Sequence, residues 1–178
     1  MRSVFLSLQL SLDGYMASQS GQPDFAKDSL TSEVFGYVGG TLIQSDTLVL
    51  GRVAYEEQAG YWPTAVGEYA ANMNAIDKLV FTSMLQQLDW SNSRLAASSL
   101  AEEIATLKSQ PGSNIFVSGG ARMAQSFIRE RLLDELFLYI HPVTVGSGTP
   151  LFLDQHQLTL KETRPFEGGV VLHRYALT

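Results

Sequence analysis

Three short apolar runs constrain the fold of this chain more than any other part of its sequence. They are "TLVLG" (47–51), "KLVFTS" (78–83) and "NIFVSGG" (114–120). None of them alternates apolar with polar residues, and such runs are typical of strands that are buried on both faces of a largely parallel sheet. Helical patterns separate the three runs, so the sequence predicts an α/β protein.

Four further segments extend the predicted sheet. Residues 4–12 alternate apolar and polar side chains, which predicts a strand rather than the unbroken apolar stretch of a secretory segment. Residues 135–146 predict a long strand with a kink at Pro142, and residues 158–166 and 168–177 predict a terminal hairpin. We therefore expect a central mixed sheet of roughly eight strands, parallel in the middle and antiparallel at the C-terminal edge, with helices on both faces.

Two of the predicted helices carry informative residues. Ser99 and Glu102 have the spacing of a capping box, which predicts a helix start. The helix predicted over residues 31–44 contains a set of three glycines, each of which costs about 1 kcal/mol relative to alanine in a helix interior. They are Gly36, Gly39 and Gly40. Close approach of a backbone or a ligand would explain them, and so would a frayed helix.

Composition excludes several classes of function. The 178 residues are 45 % hydrophobic and 17 % charged, as in an ordinary globular protein, and we expect one domain over residues 1–178. The absence of cysteine excludes disulfides and cysteine metal sites and suits a reducing cytoplasm. A net charge of −6 with scattered basic residues argues against a nucleic-acid surface. No window reaches the length of a membrane span. His141, His156 and His173 lie far apart, so no metal site is expected.

Three strand-to-helix junctions are candidates for ligand binding. They are Gly51-Arg52, Thr82-Ser83 and the segment 119–122, "GGAR". In open α/β sheets, ligands bind beyond the carboxyl ends of strands, where helix N-termini offer unpaired N–H groups to anions. The chain has neither a G-x-G-x-x-G fingerprint nor a P-loop lysine. From these residues alone, the glycine pair is either a tight turn or a cradle for a phosphate.

Four motifs occur in a specific order along nearly the whole chain. They are "SLDGYMA" (11–17), "LVLGRVAYE" (48–56), "FVSGGARMAQSFI" (116–128) and "LLDELFLYIHPVTVGSGTPLF" (132–152). Together they resemble the dihydrofolate-reductase-like family, on the branch similar to the riboflavin-biosynthesis reductase (RibD C-terminal) domain. The resemblance implies an NADPH-binding fold with a central eight-stranded sheet. It also implies reduction of a small heterocyclic or carbonyl substrate, as by 5-amino-6-(5-phosphoribosylamino)uracil reductase.

The same resemblance implies a set of cofactor-binding residues. Gly51 and Arg52 would face the cofactor phosphates, and Thr82 and Ser83 would lie near the adenosine 2′-phosphate. The pyrophosphate would contact Gly119, Gly120, Ala121, Arg122 and Met123, and the loop 13–17, with Met16 and Ala17, would lie beside the nicotinamide. A cis peptide bond between Gly119 and Gly120 is implied as well.

Two positions depart from the pattern of the family. Relatives often have arginine or lysine after the serine of the "TS" junction, where it pairs with the 2′-phosphate, and this chain has Met84. The choice between NADPH and NADH therefore stays open. In folate reductases a carboxylate on the first helix grips the pterin; the matching position falls at Phe35, and Glu33 would point elsewhere on the helix. Dihydrofolate is therefore not the expected substrate.

The remaining candidates each have a structural alternative. Asp13 is the candidate catalytic residue, since it could polarise a substrate or water, but Asp-Gly after a strand is also a turn signal. The candidate substrate-binding residues are Phe35, Trp62, Ser118 and Tyr139. A non-catalytic nucleotide-binding or interaction module is the alternative function. We also expect a homodimer, because relatives of this branch often pair and the C-terminal strands present an edge.

Overall fold

The computed structural model describes residues 2–177 and contains ten strands and five α-helices within them. The strands are β1 (Val4–Ser11), β2 (Tyr15–Ser18), β3 (Ser45–Gly51), β4 (Asp77–Phe81), β5 (Ser93–Leu95), β6 (Asn114–Val117), β7 (Glu135–His141), β8 (Gly148–Pro150), β9 (Leu158–Pro165) and β10 (Val171–Leu177). The helices are α1 (Ser32–Ile43), α2 (Arg52–Tyr61), α3 (Glu68–Ala75), α4 (Leu100–Ser109) and α5 (Ala121–Arg129).

Eight of the strands form one sheet in the order β5-β4-β3-β6-β1-β7-β10-β9. The six strands from β5 to β7 are parallel to their neighbours, whereas β10 pairs antiparallel with both β7 and β9. The predicted mixed sheet and its terminal hairpin are thus confirmed. Strands β2 and β8 form a separate antiparallel pair.

The sheet has a hydrophobic core on each face. One core joins the apolar sides of α4 and α5 to strand residues such as Leu6, Val49 and Val117. The other joins α1, α2 and α3 to Phe5, Leu50 and their neighbours on the opposite face. Helices therefore cover both faces, as predicted, and the central strands are buried on both sides. No helix in the described range 2–177 combines the length and apolarity that crossing a membrane requires.

Local signals in the sequence are resolved by the structure. Ser99 and Glu102 form both hydrogen bonds of the predicted capping box at the start of α4. Gly39 is buried, and a Cβ there would lie 2.8 Å from the ring of Tyr69, so close approach explains this glycine. Strand β7 ends at His141, so the predicted continuation through Pro142 is wrong. Proline has no N–H to donate to a neighbouring strand, which favours an end there over a kink.

Candidate active site

A cavity of about 460 Å³ opens where the parallel strands end and the following helices begin. Its lining comes from the second half of β1, from β2 and the loop after it, from α1, α2 and α3, and from the junction between β6 and α5. The lining includes Ser7, Gln9, Met16, Ala17, Glu57, Gln58, Trp62, Tyr69, Ser118, Gly119, Gly120 and Ala121. The cavity therefore lies at the edge of the sheet where α/β proteins bind ligands.

The glycine pair shapes the junction between β6 and α5. Gly120 is the N-cap residue of α5 at φ −67° and ψ 178°, it is exposed, and a Cβ there would meet nothing within 4 Å. The peptide bonds of residues 2–177 are all trans, so the expected cis bond between Gly119 and Gly120 is wrong. Because Gly120 adopts an ordinary extended conformation, α5 can start there without a cis bond. The peptide geometry at this junction therefore gives no support to a cofactor site.

Gly119 lacks a side chain for a different reason. A Cβ on Gly119 would lie 2.5 Å from Cβ of Met123, closer than side chains can pack. The Met123 side chain also reaches the neighbouring junction, because a Cβ on Gly51 would lie 3.5 Å from its Cε. Met123 therefore fills the space between the ends of β3 and β6 and holds the two junctions together.

The N-termini of α2 and α5 differ from those of the other helices within residues 2–177. Neither has a side-chain cap or an acidic residue in its first turn. The first turns of α1, α3 and α4 each contain glutamate, and α1 and α4 are capped by a side chain as well. The unpaired N–H groups of a first turn attract anions, and acidic residues would repel them. The N-termini of α2 and α5 are therefore better suited to bind an anion than those of the other three helices.

Polar side chains on the cavity wall are tied to one another. Gln58 of α2 donates through Nε2 to the Ser118 hydroxyl over 3.2 Å, which links the helix to the end of β6. The backbone N–H of Ser118 donates to the carbonyl of Val49 at 3.0 Å. Ser118 is thus held in place on the cavity wall.

Gln9 enters the cavity from β1 and is oriented from behind by a buried histidine. Nε2 of His141 lies 2.7 Å from Oε1 of Gln9, and Nδ1 of His141 lies 2.6 Å from the Ser29 hydroxyl. Burial lowers the pKa of His141 below its ordinary value, which favours the neutral ring with a single N–H. An amide oxygen only accepts, so Nε2 of His141 donates to Gln9 and Nδ1 accepts from Ser29. Gln9 lines the cavity, and its amide NH2 has no protein partner within residues 2–177.

Aromatic rings form the apolar side of the cavity. Trp62 packs on Tyr69 with ring centroids 5.0 Å apart, and both residues line the cavity. Phe35, which is 44 % exposed, stacks on the outer side of Tyr69 at the same centroid distance of 5.0 Å but is not part of the lining. Glu33 points away, because its carboxylate accepts from the N–H of Glu167 at 3.1 Å. The carboxylate that does line the cavity belongs to Glu57 of α2.

Asp13 lies outside the cavity lining and ties two loops together. Its carboxylate accepts from the Ser11 hydroxyl at 2.6 Å and from the N–H groups of Gly146 at 2.8 Å and Val145 at 3.2 Å. The hydrogen bond from Ser11 and, to a lesser extent, those from Gly146 and Val145 hold the pKa of Asp13 below its ordinary value. Asp13 is therefore ionised at neutral pH and occupied with loop contacts; its catalytic role stays a prediction.

The remaining predicted residues fall into two groups. Met16 and Ala17 are buried on β2 and line the cavity, so part of the expected loop is a strand. The other group lies outside the lining: Arg52, Thr82, Ser83, Arg122 and Tyr139. Arg52 pairs with Glu56 at 2.6 Å, and the Thr82 hydroxyl accepts from the N–H of Met84 at 3.0 Å. Tyr139 is completely buried, and burial raises the pKa of its hydroxyl.

Sequence reasoning missed three polar or aromatic residues of the cavity. Gln9 was interpreted only as a polar position in an alternating strand, and Glu57 and Tyr69 were not singled out. One signal was available for Gln9: a strand at the centre of a sheet covered on both faces has no solvent face, so its polar side chains must meet a partner or a ligand. Glu57 and Tyr69 carry no comparable signal.

Comparison with known proteins agrees with this architecture. Residues 2–172 match the model of the RibD C-terminal domain. The chain is 32 % identical to the uncharacterized protein YyaP of Bacillus subtilis, over 96 % of this chain and 92 % of that protein. A Shewanella sp. PV-4 structure assigned to riboflavin biosynthesis superposes with a TM-score of 0.79 at 20 % identity, covering 99 % of both chains.

Dihydrofolate reductase from Enterococcus faecalis, solved with NADP(H), shares the fold at lower similarity. Its TM-score is 0.67 at 16 % identity, covering 99 % of this chain and 96 % of that one. The predicted dihydrofolate-reductase-like fold is thereby confirmed, and so is the resemblance that the four motifs carry. The chain belongs to the RibD C-terminal domain family.

Proposed function

We propose that this protein is an NADPH-dependent reductase of a small heterocyclic substrate. One observation carries the proposal: the open space at Gly120 lies at the N-terminus of α5, whose first turn, like that of α2, contains no acidic residue, and it borders a cavity with aromatic walls. Membership of a family with reductase members supports it, as does the similarity in fold to a dihydrofolate reductase solved with NADP(H).

The residues at the junctions fit the phosphates of such a cofactor. The N–H groups in the first turns of α2 and α5 would donate to them, and Gly120 would let the backbone approach closely. Arg122 is exposed beside this junction and has no ion pair among residues 2–177, so it is available for a charge-assisted hydrogen bond. Thr82 and Ser83 remain the proposed contacts of the 2′-phosphate.

The cavity has apolar walls and a fixed hydroxyl group, which are the features that a protein contributes to hydride transfer. NADPH, when bound, provides the hydride itself. Met16 and Ala17 present a buried apolar surface on one side, while Trp62 and Tyr69 form the other. These walls exclude water from the reacting centre, and the hydroxyl of Ser118, fixed by Gln58, orients polar groups there.

A side chain placed at Gly120 tests the proposal directly. Val at this position has an allowed φ of −67° and meets no protein atom, so Gly120→Val should fold normally. It would fill the space given to the phosphates, and we expect NADPH affinity, measured by fluorescence titration, to fall about tenfold or more. Gly36→Val is the matched control, because a Cβ there also meets nothing within 4 Å and lies outside this cavity. Unchanged affinity in folded Gly120→Val would overturn the cofactor site.

Titration of the native protein separates the two candidate functions. Saturable binding of NADPH, with or without binding of NADH, is the result expected of a reductase. If neither binds, the alternative of a non-catalytic module is favoured, and the engagement of Asp13 by loop contacts is the observation that supports this alternative.

A homodimer and a cytoplasmic location complete the proposal. Strand β9 is the edge of the large sheet, and Leu160 on it is 53 % exposed. Lys161 and Arg164 place charge along the same edge, which opposes pairing between copies. Sedimentation at tens of micromolar would populate a specific interface of standard size, and a species of 19.5 kDa alone would contradict the dimer.

A further inference from the structure

The charges around the cavity restrict what kind of molecule can enter it. Within the described chain, the lining contains no lysine or arginine, and Glu57 is its acidic residue. Basic residues next to the lining segments are already paired: Lys27 contacts Asp24 at 2.7 Å, and Arg52 contacts Glu56 at 2.6 Å. Arg122 is exposed in the first turn of α5 and is not part of the lining; the proposed cofactor phosphates would use it.

A substrate phosphate would therefore find no partner in this cavity. Phosphate groups are held in proteins by arginine, lysine or several converging N–H groups. The free N–H groups here belong to the junction that the cofactor would occupy, and the carboxylate of Glu57 would repel a second anion. Glu57 makes no ion pair within residues 2–177; its side chain is exposed, so solvent screens part of the repulsion but no protein cation removes it.

The polar groups on the cavity wall indicate which hydrogen-bonding groups a ligand of this cavity must carry. The amide NH2 of Gln9, oriented by His141, is a donor and would bind an acceptor such as a ring carbonyl. The carboxylate of Glu57 is an acceptor and would bind an N–H group. The rings of Trp62 and Tyr69 offer flat apolar surface to a planar ring.

We propose that the substrate is an uncharged, planar heterocycle that presents a ring carbonyl and a ring N–H and carries no phosphate. This inference rests on the proposed function for the place of the cofactor. It separates the protein from a reductase acting on a phosphoribosylated ring, although both would use the same fold. Gln9 and Glu57 are the residues that determine this specificity.

Uridine and uridine 5′-monophosphate form a matched pair of probes, because they share the ring and differ by the phosphate. Isothermal titration of the full chain, with and without saturating NADPH, should show uridine binding at least about tenfold more tightly than the monophosphate. Equal or tighter binding of the monophosphate would overturn the proposal, and so would the absence of uridine binding at millimolar concentration.

Two substitutions assign the selectivity to its residues. Glu57→Gln removes the repelling charge and should reduce the preference for uridine to about threefold or less, whereas Glu130→Gln, on the exposed end of α5, should leave it unchanged. Gln9→Glu keeps the acceptor that faces His141 but removes the donor, and should weaken uridine about tenfold. An unchanged preference for uridine in Glu57→Gln, or an unchanged uridine affinity in Gln9→Glu, would overturn the assignment. NADPH titration of the same samples reports on the proposed function separately.

Discussion

The two ends of the parallel strands use polar side chains in opposite ways. At the amino end, Arg2 is almost completely buried and donates to the carbonyl of Ser113 at 3.0 Å and to the Thr47 hydroxyl at 2.7 Å. Lys78, only 1 % exposed, donates to the carbonyls of Ile76 at 2.7 Å and Ser91 at 3.0 Å. At the carboxyl end, the amide NH2 of Gln9 and the carboxylate of Glu57 have no protein partner within residues 2–177.

This difference separates structural polar groups from those available to a ligand. A larger cavity, of about 620 Å³, lies at the amino end and is lined by Arg2 and Lys78. Its volume exceeds that of the candidate active site, but Arg2 and Lys78 there donate to the protein's own carbonyls, so they stabilise the fold and have little left to offer a ligand. Volume alone therefore does not identify the site.

Removing the buried guanidinium at the amino end should have the largest effect. Arg2→Met leaves the carbonyls of Leu107 and Ser113 without a donor and Asp46 without its cation. We expect the free energy of unfolding, measured by urea denaturation, to fall by about 3 kcal/mol. NADPH affinity should not change, because the two ends of the strands are separate.

Lys161→Met is the control for that substitution. Lys161 is exposed on β9, and its loss should change the free energy of unfolding by about 0.5 kcal/mol or less. A similarly small change for Arg2→Met, or a loss of NADPH binding in that variant, would break the distinction between the two ends.

The two adjacent glycines offer the next test, because the structure gives them different roles. Gly119→Ala forces Met123 to move and should lower the free energy of unfolding by about 2 kcal/mol. Gly120→Ala introduces no contact with the protein and should cost less than about 1 kcal/mol. Thermal or urea unfolding of both variants measures the difference. Equal losses in the free energy of unfolding would contradict the packing role of Gly119. They would indicate that the glycine pair forms only a simple turn.

Much of the fold could be predicted from the sequence because burial on two faces leaves a direct signal. The three apolar runs became β3, β4 and β6 in a parallel sheet. Strands β5 and β8 were not predicted individually, since three residues are too few to establish a period. The glycine junctions stand out in the sequence because each directly follows an apolar run, but the peptide geometry at Gly119 has no local signal, and the cis prediction is wrong.

The cavity was predictable only in part because it is assembled from distant segments. Gln9 is oriented by His141, which is far along the chain, and no local pattern connects the two residues. Tyr139 was chosen by position, yet its ring is buried against Phe166 with centroids 6.1 Å apart. Tyr139 lies opposite Gln9 in the register of β1 and β7 and faces the same side of the sheet, but packing buries it in the core of that face. A position near a site therefore does not establish contact with it.

Lowering the pH should reduce the free energy of unfolding through His141, which lies at the carboxyl end of the parallel strands. Burial lowers the pKa of this histidine, so the unfolded chain, with a pKa near 6.5, binds more protons than the folded chain just below that pH. The contribution of His141 is complete above pH 6.5, and the free energy of unfolding should fall as the pH decreases below it. Urea unfolding between pH 5 and 7.5 measures the slope, which His141→Asn should reduce. A slope unchanged by His141→Asn would show that other groups cause it.

The smallest expected effect concerns the cofactor's adenosine end, where a cation can be added to the carboxyl side. Met84 is 70 % exposed in the turn that the Thr82 hydroxyl organises after β4, so a longer charged side chain fits without repacking. Met84→Arg would place a guanidinium near the proposed 2′-phosphate. An exposed ion pair contributes about 0.2–1 kcal/mol, so the ratio of NADPH to NADH affinity should rise about threefold, and less at high salt. Met84→Gln, of similar length and uncharged, should leave the ratio as it is. An unchanged ratio in Met84→Arg would place the 2′-phosphate away from this turn and limit the phosphate-binding region to the N-termini of α2 and α5.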